Sequence, residues 1–143
     1  MDAKIKQKQA YISDCYKMFK HFAERNDNRD EKFWEDVVNA EVAMVKKHSH
    51  CEFYSEVMFE TINEIVRVKD KDKEAAGKVV YYNIYLDCGN LLSIWELGFE
   101  KCNKESMIKW KKYKGFSFAS RMLEVTMREI SRLLDENSEE DDE

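Results

Sequence analysis

Residues 78–102, KVVYYNIYLDCGNLLSIWELGFEKC, decide the fold class, because two incompatible periods run through them. Val80, Tyr82, Ile84 and Leu86 alternate as a half-buried strand does, and Cys88-Gly89 could turn a hairpin back through NLLSIWELGF. Tyr81, Ile84, Tyr85, Cys88, Leu91, Leu92, Trp95, Phe99 and Cys102 keep helical spacing over the whole stretch. The helical period is the longer of the two, and both flanks are helical. It predicts an apolar central helix over residues 75–102, with an α+β fold carrying a hairpin at about 79–99 as the alternative.

The flanks set that choice. FYSEVMFETINEIV places apolar pairs at Phe53 and Tyr54, Val57 and Met58, Thr61 and Ile62, and Ile65 and Val66, which is a helix with one core-facing side. VKDKDKEAAGK breaks the period, and Asp70 or Asp72 can cap the next helix. Nearer the N-terminus, Ile5, Ile12, Cys15, Phe19 and Phe22 define a first helix over residues 5–23, widened by Tyr11, Tyr16 and Met18. ERNDNRDE interrupts it, and Asn28 with Glu31 fits a capping box for a second helix. The face of that helix is Phe33, Trp34, Val37, Val38, Met44 and Val45, and Lys46 and Lys47 complement the negative pole at its end. After the central stretch, residues 106–113 predict a short helix or turn. Ser117 can cap a last helix facing inward with Met122, Leu123, Thr126, Ile130, Leu133 and Leu134.

Composition supports an all-α single domain of four to five amphipathic helices. The chain has 143 residues and no proline, which leaves long stretches free to be helical. Its net charge of −5 conceals a division: Asp135, Glu136, Glu139, Glu140, Asp141, Asp142 and Glu143 carry seven negatives, without which the rest stands at +2. The expected organisation is a helical domain at 1–134 and a disordered acidic tail at 135–143, too polar to bury itself. The polar start lacks the pattern of a signal peptide, and no run approaches the ~20 apolar residues of a membrane span, so a cytoplasmic protein without a membrane partner is expected. Cys15, Cys51, Cys88 and Cys102 form no C-x-x-C pair, which predicts reduced, mostly buried thiols.

Three features could carry chemistry. In KHSHCEF, Ser49 and Glu52 fit a capping box, which would put His50 and Cys51 in the first helical turn and let His48 staple onto Phe53. Cys51 there is a candidate reactive thiol, since free amides at a positive helix end can lower a thiol pKa. A zinc site would need further ligands, from His21 or a distant cysteine.

Glu52, Glu56, Glu60 and Glu64 recur every four residues, a spacing at which like charges repel. Such a stripe is a solvated flank, faces basic side chains on another helix or subunit, or holds a hard cation such as Mg²⁺. ETINEIV followed by YLDCGNLLSIWELGF resembles the all-α nucleoside triphosphate pyrophosphatases, including the dimeric dUTPases, over about 40 residues. The resemblance implies Mg²⁺ held by carboxylates on two neighbouring helices, here Glu60, Glu64 and Asp87. The family's remaining acidic positions are amides in this chain, Asn63 and Asn90, which attract Mg²⁺ less.

KESMIKWKKYKGFSF interleaves lysines with aromatics. Lys109, Trp110, Lys111, Lys112, Tyr113 and Lys114 are therefore candidates for nucleic-acid contact, lysines engaging phosphate and aromatics stacking on unpaired bases. The alternative is that lysine stems lie over a packed aromatic cluster. A folded-back acidic tail could shield these lysines. More apolar helix surface is present than a small bundle buries, so the leading expectation is a non-enzymatic interaction or regulatory protein without cofactor, acting as a homodimer or through a protein partner. The Mg²⁺-dependent hydrolase is the alternative, and nucleic-acid contact the second.

Overall fold

The computed structural model describes residues 2–25, 31–71 and 79–141. They form α1 (Ala3–Glu24), α2 (Glu31–Lys47), α3 (Glu52–Lys71), α4 (Val79–Ser93), a 3₁₀ turn (Trp95–Leu97), α5 (Phe99–Lys112) and α6 (Ser117–Asp141). The protein is an all-α bundle, and the hairpin alternative at 79–99 is excluded. Tyr82 and Leu86, which shared the strand-like alternation, point to solvent from a helix whose opposite sides are buried.

α4 is the central helix. It packs against α1, α5 and α6, and Tyr81, Ile84, Tyr85, Cys88, Leu91 and Leu92 are all buried. The expected span of 75–102 is shorter in the structure, because the helix stops at Ser93 and restarts at Phe99. Gly98 closes the break after the 3₁₀ turn and leads into α5, with φ 98°, a left-handed conformation that a side chain would strain. Residues 106–113, expected as a short helix or turn, mostly belong to α5, and Gly115 at φ 87° turns the chain into α6. Ser117 is the first helical residue there, not the cap, since the Phe116 carbonyl already accepts from the Ser120 amide at 3.4 Å. α6 runs on to Asp141, so residues 135–141, expected as disordered tail, are helical. Asn28 and Asp72, proposed as caps, lie outside the described residues.

Polar side chains register the helices. The Tyr11 hydroxyl donates to the Tyr54 carbonyl at 3.0 Å, tying α1 to α3. Thr61 and Tyr85 hydroxyls meet at 2.8 Å between α3 and α4, and Gln9 Nε2 donates to the Gly89 carbonyl at 2.8 Å between α1 and α4. α2 is the outlier, for only Phe33, Val37 and Met44 are buried. Polar clamps hold it against α1: Arg25 bonds Asp36 at 2.9 Å, and Lys47 and His48 reach Asp14 at 2.8 and 2.9 Å. Partial burial opposes the Asp14 charge, but the bonds from Lys47 and His48 outweigh it and hold the carboxyl below its ordinary range. That clamp stabilises the fold at neutral pH and is lost as acid protonates Asp14.

Gly89 sits inside α4, and a methyl group there would meet Gln9 Cγ at 3.7 Å, an ordinary contact. Gly89→Ala is expected to raise stability by about 0.5–1 kcal/mol, since alanine has less backbone freedom to lose. Urea unfolding measures this, and a lower midpoint would show that α1 and α4 approach too closely to admit the methyl.

Candidate functional site

The glutamate stripe of α3 faces three arginines of α6. Glu60 accepts from Arg121 Nε at 2.7 Å, Glu56 pairs with Arg128 at 2.8 Å and with Arg132, and Arg132 also lies 3.4 Å from Glu52. Later residues of α3 meet earlier residues of α6, so the helices are antiparallel. Of the three settings open to the stripe, basic side chains on another helix is the one found. Glu129 of α6 joins the ladder, bonded to Arg132 at 2.9 Å and to Lys8 of α1 at 3.2 Å.

The ladder's inner end is Glu64, which is fully buried at 0% exposure. Its Oε1 accepts from Arg67 Nε at 2.8 Å and from the Tyr81 hydroxyl at 2.7 Å. Arg67 also donates to the Tyr81 oxygen at 3.0 Å, closing a triangle. Glu64 Oε2 has no hydrogen-bond partner among the described residues, and Arg121 Nη2 lies 3.6 Å away. Two guanidinium groups thus offset the burial of this carboxylate. The Tyr81 hydroxyl, buried and donating to Glu64, has its pKa pushed well above the ordinary phenol value, burial being the larger cause.

Asp87 belongs to a different cluster. Its carboxylate accepts a short bond from the Tyr113 hydroxyl, with Lys109 at 3.7 Å and Lys112 at 3.5 Å. It borders a cavity of about 490 Å³ between α4 and α5, with Asn90, Ser93, Lys101, Lys104 and Lys109 among its lining residues. Glu60, Glu64 and Asp87 are therefore not gathered around one point. Glu60 and Glu64 turn to the arginines of α3 and α6, and Asp87 turns to α5. Among the described residues no three His, Cys, Asp or Glu side chains converge so as to hold a metal ion.

The lysine and aromatic candidates divide in the same way. Tyr113 is buried, and Lys112 Nζ lies 5.1 Å from its ring centre, a cation over an aromatic face. Trp110 is 41% exposed, and Lys111 and Lys114 are exposed beside it. Tyr113, Lys109 and Lys112 thus brace Asp87, while Trp110, Lys111 and Lys114 face outward.

The cap at the start of α3 differs from the expected one. The helix begins at Glu52, and the Cys51 carbonyl accepts its first helical bond, from Ser55 at 3.3 Å. Cys51 is thus the N-cap, and Ser49 and His50 stand outside the helix. The Cys51 sulfur faces the Phe53 and Tyr54 amides, which favour thiolate, yet burial is the larger influence and raises its pKa. The lowered pKa expected of a helix N-terminus is therefore outweighed. His48 packs edge-on to Tyr11 at 5.1 Å, and against Tyr54 where Phe53 was expected. Cys15 and Cys88 are fully buried, and burial pushes both thiols up to about 12.

One feature was not legible as a site. Val38, Val42 and Val45 form an exposed stripe on α2. Val38 and Val45 were expected in the core, with Phe33 and Met44. Phe59, on the solvent side of α3, is exposed as well. The available signal was the breadth of α2's apolar surface, which spans more of the helix than one neighbour covers. In comparisons with protein-family models, curated proteins and solved structures, nothing matches this chain.

The ladder and the cap each generate a test. Arg121→Ala strips the buried glutamates of a partner and is expected to cost about 2–3 kcal/mol, whereas Arg128→Ala, half exposed and sharing Glu56 with Arg132, should cost less than about 1 kcal/mol. Equal losses in chemical denaturation would contradict the gradient. In a thiol titration at pH 8, Cys51 should react first but more slowly than free cysteine. Cys15 and Cys88 should react only on unfolding, and rapid labelling of Cys51 would refute its burial.

Proposed function

We propose that this chain is a non-enzymatic helical interaction protein, binding a partner protein or a second copy through the outer side of α2 and the adjoining side of α3. The observation that carries this reading is the stripe Val38, Val42 and Val45, about half exposed at 54%, 46% and 57%, with Phe59 at 63%. Their spacing of four and three residues lays the valines along one line, the seam by which one helix packs on another. Scattered exposed apolar residues are ordinary, but an aligned set beside a concavity marks an interaction surface. A groove of about 480 Å³ between α2 and α3 is lined by Val45, His48, Tyr54, Met58, Phe59 and Ile62. The shallow seating of α2 on the core supports the same view, because a helix that buries three residues has apolar surface left to share.

A hydrolase reading gains no support from the carboxylates, each held by arginine, lysine or tyrosine. No helix among the described residues is long and apolar enough to cross a membrane.

Sedimentation tests the proposal. The native chain should associate in a concentration-dependent way that persists in high salt. Val38→Lys with Val42→Lys should abolish it while leaving the monomer's unfolding free energy within about 0.5 kcal/mol of the native value, as surface changes do. A chain that stays monomeric and finds no protein partner, or one whose stability collapses in the double variant, would assign the stripe to the fold.

A further inference from the structure

Away from the α2 stripe, exposed apolar surface is concentrated on and just before α5. Leu97, Phe99, Met107, Ile108 and Trp110, five of the eleven large apolar side chains exposed among the described residues, crowd into residues 97–110. The same stretch is basic, with six lysines against Glu100 and Glu105 over residues 99–114. Lys109 and Lys112 reach Asp87. Lys101, Lys111 and Lys114 are exposed and make no ion pair with a carboxylate among the described residues. Lys104 has only Glu100, on its own helix, at 3.9 Å, and both side chains stand open to solvent.

The helix sorts these groups. Cys102, Ser106 and Tyr113 are buried on its inner side. Lys104, Ile108 and Lys111 follow one another at four and three residues along the outer side, Lys101 lies one heptad before Ile108, and Lys114 follows just past the helix end. Met107 and Trp110, three residues apart, carry the apolar surface round one flank. The outer side is therefore a pair of aliphatic side chains set among lysines, on a helix about 21 Å long at 1.5 Å per residue. Nucleic acid answers only half of such a surface. Stacking on bases needs aromatic rings open between the lysines, and Tyr113 is committed to Asp87 in the interior, which leaves Trp110 alone. Met107 and Ile108 offer a base no ring. An anionic bilayer answers both halves: lysine stems hold their ammonium groups at the level of the phosphates, aliphatic tips between them dip into the acyl boundary, and tryptophan settles at the interface. No described helix is long and apolar enough to cross a membrane, but attachment to one surface needs only one side of one helix.

We propose that the outer side of α5 docks this chain on an anionic lipid surface, with Lys101, Lys104, Lys111 and Lys114 meeting the headgroups and Met107 and Ile108 inserting between them. Opposite charge draws the helix to the surface, and the exposed aliphatic pair distinguishes a bilayer from other polyanions. The expectation of no membrane partner rested on the lack of a span, which this contact does not require. The α2 stripe lies on a different helix, so the two surfaces stand independently.

The test is cosedimentation of the full chain with two sets of vesicles, phosphatidylcholine alone and phosphatidylcholine mixed with phosphatidylserine. The chain should bind only the anionic set. Raising salt from about 0.1 M to about 1 M, which shortens the screening length from about 10 Å to about 3 Å, should weaken that binding at least about tenfold. Lys101→Glu, Lys104→Glu and Lys111→Glu together should abolish it. Met107→Ser with Ile108→Ser keeps every charge, and should still weaken binding to the anionic vesicles at least about tenfold while the unfolding midpoint stays in place. Val38→Lys with Val42→Lys should leave vesicle binding unchanged, which separates this surface from the α2 reading. Equal binding to both sets, binding to neither, or anionic binding indifferent to the change at Met107 and Ile108 would overturn the proposal. So would a chain that ignores vesicles and binds a single-stranded oligonucleotide, since the lysines would then serve nucleic acid.

Discussion

Burying α4 on several sides at once is the constraint on which the rest of the arrangement depends. Apolar packing alone tolerates several registers at similar energy, so a central helix made only of leucine and valine would be less uniquely placed among its neighbours. This one carries Tyr81, Tyr85 and Asp87 into the interior, and each polar tip needs a partner, since a buried group without one costs about 1–3 kcal/mol. Tyr85 meets Thr61, Tyr81 meets Glu64, and Asp87 meets Tyr113. These bonds fix the depth and rotation of α4 against α3 on one side and against the end of α5 on the other.

Glu64 then imposes a second requirement. A carboxylate with no solvent exposure must be balanced by charge, and Arg67 and Arg121 supply it from α3 and α6. Arg128 and Arg132 extend the same solution outward along Glu56 and Glu52, where solvent takes over more of the work. Repulsion within the glutamate stripe, which would disfavour an isolated α3, becomes an electrostatic template for α6. The stripe resembles a metal site in sequence because both solutions need aligned carboxylates, and the α6 arginines that distinguish them lie 61 to 76 residues away from the glutamates they bond.

Helical content and the central position of α4 were legible because spacing alone encodes them: Tyr81, Ile84, Tyr85, Cys88, Leu91 and Leu92 stay on period. The break at Gly98 was not, since glycine inside an apolar run signals a bend or a tolerated residue alike, and only a positive φ decides between them. At the start of α3, Ser49 and Glu52 satisfied a capping pattern that the backbone places two residues later, at Cys51. For the candidate sites, the sequence supplied residues and not partners. Tyr113 counted as a nucleic-acid contact until its bond to Asp87 placed it inside, and Val38 and Val45 counted as core because periodicity cannot tell which apolar side of α2 meets the bundle.

The choice of cation in the two charged regions has a chemical consequence. Apart from Lys8, which reaches Glu129 from α1, the ladder between α3 and α6 is built from guanidinium groups, whereas the exposed positive charges of α5 are primary amines. Acylating agents and lysine acetylation neutralise amines and leave arginine charged. A modification of that kind would therefore erase the outward charge of α5 while the α3–α6 ladder stayed intact, so the surface of this bundle can be rewritten without loosening that seam.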